Sequence, residues 1–190
     1  MSKITYVFNS PPLSLNKEDL YKEGSIDNKI LPYIKAISDA FFLSNNFRKH
    51  LTVVFLTEID DAPYQIVFKG SELRFLGPSF FSAAHLLLRA KNHILNPKSK
   101  AGKLTPGITV LKQDIQGIIK EHEYSNWYMV ESNTTIDRNS VINTKENYNV
   151  FLFGFIDNGK FGDSIEKLFL RTLEIDEQVI IINYLIESVE

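Results

Sequence analysis

The sequence contains no cysteine. That removes disulfides, thiolate-bound zinc, iron–sulfur clusters and thiol nucleophiles together, and it leaves no sign of an oxidising compartment. No apolar run reaches the length that spans a bilayer, and Met1-Ser2-Lys3-Ile4 leads into a strand-like stretch rather than a signal-peptide core. A cytoplasmic protein without a membrane partner is the expectation. Charge excess is missing too: 21 Lys and Arg against 23 Asp and Glu give a formal −2. Overall charge therefore cannot hold nucleic acid, although a local basic surface fits inside a near-neutral total. The sequence has no GxGxxG, no phosphate loop ending GK[ST], no HExxH and no GxSxG. Dehydrogenase, nucleotidase, zinc-protease and serine-hydrolase readings lose their main support.

What is present is a chain built to pack. Hydrophobic residues make up 44% and aromatics 12% of 190 residues, enough for one ordered domain over 1–190 with a sizeable core. Ile4–Phe8 is β-branched and aromatic, and Asn9-Ser10-Pro11-Pro12 stops it, so the chain opens on a strand. Lys29–Asn45 carries Ile30, Ile34, Ile37 and Phe41 at helical spacing, with Pro32 suited to the first turn. Leu51–Leu56 and Tyr64–Phe68 read as strands, and Ser79–Asn92 as a helix capped by Ser79.

Asn96–Lys103 reads as an exposed basic loop, Ile108–Val110 as a strand, Gln113–Lys120 as a helix and Trp127–Val130 as a strand. Polar Ser132–Asn149 reads as a loop with room for a helical turn or a hairpin. Val150–Phe153 is a buried strand ending at Gly154, and Ser164–Leu170 reads as a helix. Gln178–Ile182, feeding Asn183–Ser188, fits a strand or a buried helix. The alternation predicts an α/β fold with a mainly parallel sheet covered by helices on both faces.

Candidate chemistry is sparse. His85, Arg89 and His93 share a helix face but lack carboxylates in register, so no metal site is assigned. Asp60-Asp61 and the acids at Glu121 and Glu123 read as solvated turns. Lys98, Lys100 and Lys103 are a solvated loop by default and a phosphate grip as the alternative. Gly154 stands out by position, because ligands of open parallel sheets sit beyond the carboxyl ends of strands and a glycine there admits close approach to the backbone.

Three stretches carry a resemblance: Ala40-Phe41-Phe42-Leu43-Ser44, Gly70–Pro78 (GSELRFLGP) and Thr105–Val110 (TPGITV). In identity, order and spacing they resemble the archaeal tRNA pseudouridine N1-methyltransferases of the SPOUT superfamily, relatives of the ribosomal-RNA pseudouridine N1-methyltransferases, over about Ile4 to Leu185. The resemblance implies a C-terminal trefoil knot, bound S-adenosylmethionine, a homodimer and tRNA or another structured RNA as substrate.

Carried over position by position, the resemblance makes Gly154 the glycine of an FVLGDH-like strand, with Val130 and Val179 as apolar cofactor neighbours. The Asp-His that follows in the family is Phe155-Ile156 here. An SLGP-like turn has become Leu168–Arg171, and a family ADHCI stretch falls on Asp176–Ile180. The substrate-side GRMD run corresponds to Gly24–Asp27 if a short insertion follows, or to Asn28–Leu31 without one. The family's DER after Pro78 is Ser79-Phe80-Phe81. The first alignment makes Asp27 the candidate proton acceptor, with a helix cap or surface acid as the alternative. Lys29 and Lys35 on the first helix and Arg74 in GSELR are candidate RNA contacts, the alternatives being a solvated face for the lysines and a structural pair with Glu72 or another acid for the arginine. The other expectation is a diverged paralogue that keeps the dimer as an RNA-binding or protein-interaction module. Phe80, Phe81 and Phe155 offer a base-stacking surface, added core or a dimer contact.

Overall fold

The computed structural model describes residues 3–21, 24–42, 46–96, 98–99, 102–133, 148–155, 165–171 and 173–188. Most of the polar 132–149 stretch, Ile156 and Ser164 fall outside these. The strands are β1 (Lys3–Asn9), β2 (Leu51–Ile59), β3 (Ala62–Lys69), β4 (Gly102–Thr105), β5 (Ile108–Leu111), β6 (Asn126–Asn133), β7 (Tyr148–Phe153) and β8 (Ile165–Arg171). The helices are α1 (Leu31–Phe41), α2 (Phe80–Leu95), α3 (Ile115–Glu121) and α4 (Ile175–Glu187).

All eight strands join one sheet in the order β4-β5-β3-β2-β1-β7-β6-β8. From β2 through β1, β7 and β6 to β8 every pairing is parallel, while β3, β5 and β4 extend the sheet antiparallel. The central strands read as unbroken apolar runs because they are buried on both faces. Tyr6, Phe8, Val53, Phe55, Phe151 and Phe153 point toward the cluster that holds Ile34 and Ile37 of α1, Leu87 of α2, and Val179 and Ile182 of α4. Their neighbours Val7, Val54, Val150 and Leu152 form a second cluster with Ile118 of α3.

Local chemistry explains several boundaries. Pro32 lies in the first turn of α1, where a missing N–H costs nothing. Ser79 Oγ accepts from Phe81 N and starts α2. Asp60 and Asp61, with φ of 50° and 57°, are the two central residues between Ile59 and Ala62, the left-handed pair that a two-residue hairpin turn requires. Gly107, at φ +79°, packs so tightly on Leu73 that a Cβ would lie 2.5 Å from the Leu73 nitrogen, and its carbonyl accepts from Lys69 N at 2.8 Å. Two of the three resembling stretches therefore meet at this glycine.

Three expectations are corrected. Ser164–Leu170 is not a helix: Ile165–Arg171 pairs parallel with β6 as an edge strand. Leu168 and Leu170 are buried in alternation, a period of two that the spacing of Ile165, Leu168 and Phe169 conceals. Gly102 and Lys103 leave the exposed loop and pair with Val110 and Thr109 in β4. The first helix closes at Phe41, four residues before Asn45, where the carbonyl of Phe41 turns to accept from Arg48 N. The ambiguous Gln178–Ile182 stretch is helical; Glu174 and Glu177 cap α4 reciprocally through side chain and backbone.

Candidate functional site

A cleft of about 410 Å³ opens at the carboxyl ends of β6 and β7 and against the first turns of α4. Val130, Glu131 and Ser132 come from the end of β6, Gly154 and Phe155 from the turn after β7, Lys167 from β8, and Ile175 and Gln178 from α4. Parallel pairing brings these together: Val130 lies opposite Phe153 on one side and Leu168 on the other.

Gly154 adopts φ +72°. Its carbonyl accepts from Asn9 Nδ2 at 3.1 Å, so the ends of β1 and β7 are tied together. A Cβ on Gly154 would stand 2.6 Å from the Tyr33 hydroxyl and 3.0 Å from the Asn9 carbonyl oxygen. Burial, reinforced by the Glu174 carboxylate, pushes the Tyr33 phenol above its ordinary pKa.

The cleft lining is part polar and part apolar. Lys167 Nζ sits 3.3 Å from Glu131 Oε1. Gln178 is almost fully buried; its Nε2 donates to Ser132 Oγ at 2.8 Å and to the Leu173 carbonyl at 3.2 Å. Its Oε1 has no hydrogen-bond partner among the described residues. Val130, Phe155 and Ile175 are the apolar members of the lining.

Of the candidate cofactor residues, Val130 and Gly154 line this cleft, and Val179 is fully buried in the helix-side core next to Gln178. Asp27 stands at the turn into α1: its Oδ1 accepts from Lys29 N at 2.9 Å and its carbonyl accepts from Ile30 N and Leu31 N. Lys29 is exposed in that turn. Lys35 reaches across to α4, where its ammonium lies 3.8 Å from Asp176 Oδ2. Arg74 belongs to the segment resting on Gly107, beside β5. That is four strand spacings, roughly 19 Å, from β7. The structure thus groups Val130 and Gly154, sets Lys35 on the neighbouring α1–α4 contact, and leaves Arg74 toward the other edge of the sheet.

Glu131, Ser132, Lys167, Ile175 and Gln178 were not singled out from the sequence, because they come from three elements, β6, β8 and α4, that no local spacing links. Gln178 alone carried a signal, as a polar residue heading the run Val179–Ile182. Phe80 and Phe81 stack on each other, with ring centroids 4.3 Å apart, and pack on the main core, whereas Phe155 lines the cleft. Lys103 lies 3.8 Å from Glu72. Among the described residues no group of three or more His, Asp or Glu could hold a metal ion, and no helix is long and apolar enough to cross a membrane. No protein-family model matches the chain, and no curated protein matches its sequence.

Proposed function

We propose that this chain is an S-adenosylmethionine-dependent RNA methyltransferase acting on N1 of pseudouridine in tRNA, a cytoplasmic homodimer with a C-terminal trefoil knot and a sheet helix-covered on both faces. The observation that carries the reading is the cleft at Gly154. It joins the one sequence position singled out for close ligand approach to a concave, partly apolar site at the carboxyl ends of parallel strands. The strand order supports the knot: β7 inserts between β1 and β6, β8 lies outside β6, and α4 returns across the sheet to α1. Ile180 and Tyr184, exposed one turn apart on α4, supply apolar surface for a second copy.

The residues fit the cofactor. Gly154 borders the cleft while its Cα packs against Tyr33 and Asn9, Val130, Phe155 and Ile175 offer apolar contact, and Glu131, Ser132 and Gln178 offer polar contact, with Val179 packed behind them. When bound, S-adenosylmethionine supplies an electrophilic methyl group on a sulfonium sulfur. The rest falls to the protein, which must hold the pseudouridine ring in line and accept the proton that N1 gives up. Asp27 takes that proton in this reading. Lys29 and Lys35 hold phosphates near α1, and Arg74 holds a more distant part of the RNA.

One observation favours the second reading, a diverged module without methyl transfer: Phe155, which stands where the resembling family has aspartate, lines the cleft and packs on the second apolar cluster. Calorimetric titration with S-adenosylmethionine and S-adenosylhomocysteine separates the two. Micromolar binding of either, followed by N1-methylpseudouridine in a pseudouridine-containing tRNA incubated with protein and cofactor, supports the enzyme. No heat from either ligand at high protein concentration overturns it in favour of the module.

A further inference from the structure

A second concavity, about 700 Å³, lies at the opposite end of the sheet. Its position follows from register. Lys3 opposite Tyr148 marks the amino ends of β1 and β7, and Gly154 is six residues beyond Tyr148, roughly 20 Å along the strand. The two sites are therefore separate.

Three lysines line this groove. Lys3 begins β1, Lys49 precedes β2, and Lys69 ends the antiparallel β3 opposite Thr52. Because β1, β2 and β3 are adjacent, the three ammonium groups rise from neighbouring positions at one sheet end. All three side chains are exposed, and among the described residues none forms an ion pair. Glu121 is the one acid among the described lining residues. Burial holds the His122 imidazole below its ordinary pKa, so it adds little charge at neutral pH.

Two tyrosines accompany the lysines. Tyr124, in the turn after α3, is 94% exposed, and Tyr148, at the start of β7, is 42% exposed. The Lys3 ammonium lies 5.0 Å from the Tyr148 ring centroid and donates to its hydroxyl at 2.9 Å. That contact fixes an aromatic face beside a cation. Thr5, Thr52 and Ser125 add hydroxyl groups to the lining.

We infer that this groove binds a single-stranded segment of nucleic acid, with phosphates on Lys3, Lys49 and Lys69 and an unpaired base stacked on Tyr148 or Tyr124. Cations carried on rigid strand ends and interleaved with open aromatic faces are what a flexible polyanion with planar bases requires. An acidic peptide would use the lysines and leave the tyrosine faces without a role. The inference is independent of methyl transfer, since it uses none of the residues around Gly154.

The test is fluorescence-anisotropy titration of a labelled oligouridylate at several salt concentrations. Replacing all three lysines by glutamine (Lys3→Gln, Lys49→Gln, Lys69→Gln) should weaken binding at least about tenfold at low salt and reduce the salt-dependence slope by about 2. Tyr148→Ala with Tyr124→Ala should weaken it by about fivefold or more, whereas the paired Phe variants should retain affinity. Binding of S-adenosylmethionine should be the same in all of these variants, so failure of the cofactor reading and failure of this one are distinguishable. The inference is overturned if the parent protein binds no oligouridylate, or if the lysine and tyrosine variants bind as the parent does. Displacement of the oligonucleotide by polyglutamate at equal charge concentration would overturn it in favour of an acidic protein partner.

Discussion

Tyr6 Oη donates to Asn183 Oδ1 at 2.7 Å in the centre of the molecule, and Asn183 Nδ2 passes the link on to the carbonyl of Asp39 at 3.1 Å. One side chain of α4 thereby joins β1 to α1, and the C-terminal helix is fixed on the helix that precedes the middle of the sheet. Tyr6 is fully buried, and desolvation drives its phenol far above any accessible pH, so the hydroxyl is a permanent donor. Tyr6→Phe strands a buried acceptor and should cost about 1–3 kcal/mol in urea unfolding. Adding Asn183→Leu removes the orphaned polar group, so the double variant should lose less than the two single losses combined.

Gly154 makes a prediction about stability. Gly154→Ala forces a side chain into the left-handed region and against the Tyr33 hydroxyl and the Asn9 carbonyl. The conformational part alone is about 1–2 kcal/mol. Tyr33→Phe removes the hydroxyl, so it should be close to neutral by itself and should recover part of the melting-temperature loss in the Gly154→Ala background. Absence of any recovery would mean that the backbone conformation and Asn9 account for the whole effect.

The strand before that glycine was legible in the sequence because both of its faces are buried, which leaves an unbroken apolar run. The same logic recovered β1 and β2. It failed at β8, an edge strand of seven residues with one buried face, where the apolar residues satisfy a helical spacing as well as an alternating one. In α4 the strand-or-helix choice stayed open, because the reciprocal cap of Glu174 and Glu177 that starts the helix becomes evident only in the fold. Gly154 could be marked from a strand end, and Val130 only through the family resemblance. Gln178, Glu131 and Lys167 could not, since only the pairing order of β6, β7 and β8 and the return of α4 bring them to one cleft.

Arg48 closes the other end of α1, and its two sets of contacts should differ in worth. Its Nη1 donates to the carbonyls of Ala40 at 3.1 Å, Phe42 at 3.3 Å and Asp39 at 3.4 Å, while Nε and Nη2 donate to Glu187 Oε1 at 2.9 and 2.7 Å. The Arg48 side chain is 8% exposed and that of Glu187 is 45% exposed. A cation at the end of a helix satisfies carbonyls that have no partner within it. Arg48→Leu should therefore cost about 3 kcal/mol. Glu187→Gln, which leaves those carbonyls satisfied and a solvated amide in place of the carboxylate, should cost about 1 kcal/mol or less. Equal losses in chemical denaturation would assign the stability to the ion pair instead.

The Asp39 side chain gives the protein a predictable response to acid. Burial, then the neighbouring Asp176 carboxylate, hold the Asp39 carboxyl above the usual carboxylate range, and Lys35 pulls the other way. Between the unfolded-state pKa of about 3.9 and its raised native value, the native protein binds more protons at this position than the unfolded chain does. Its contribution to stability is therefore fully present below the unfolded value and is lost as pH rises through the native one. Asp39→Asn keeps the shape, removes the charge, and leaves the backbone carbonyl that Asn183 uses. It should raise stability at neutral pH by up to about 1 kcal/mol, the partly exposed carboxyl being screened by solvent. The gain should vanish below about pH 4, where the native carboxyl is already neutral. Unfolding curves of parent and variant across that range check the sign: a loss at neutral pH that instead faded toward acid would show that Lys35, rather than burial and Asp176, governs this carboxyl.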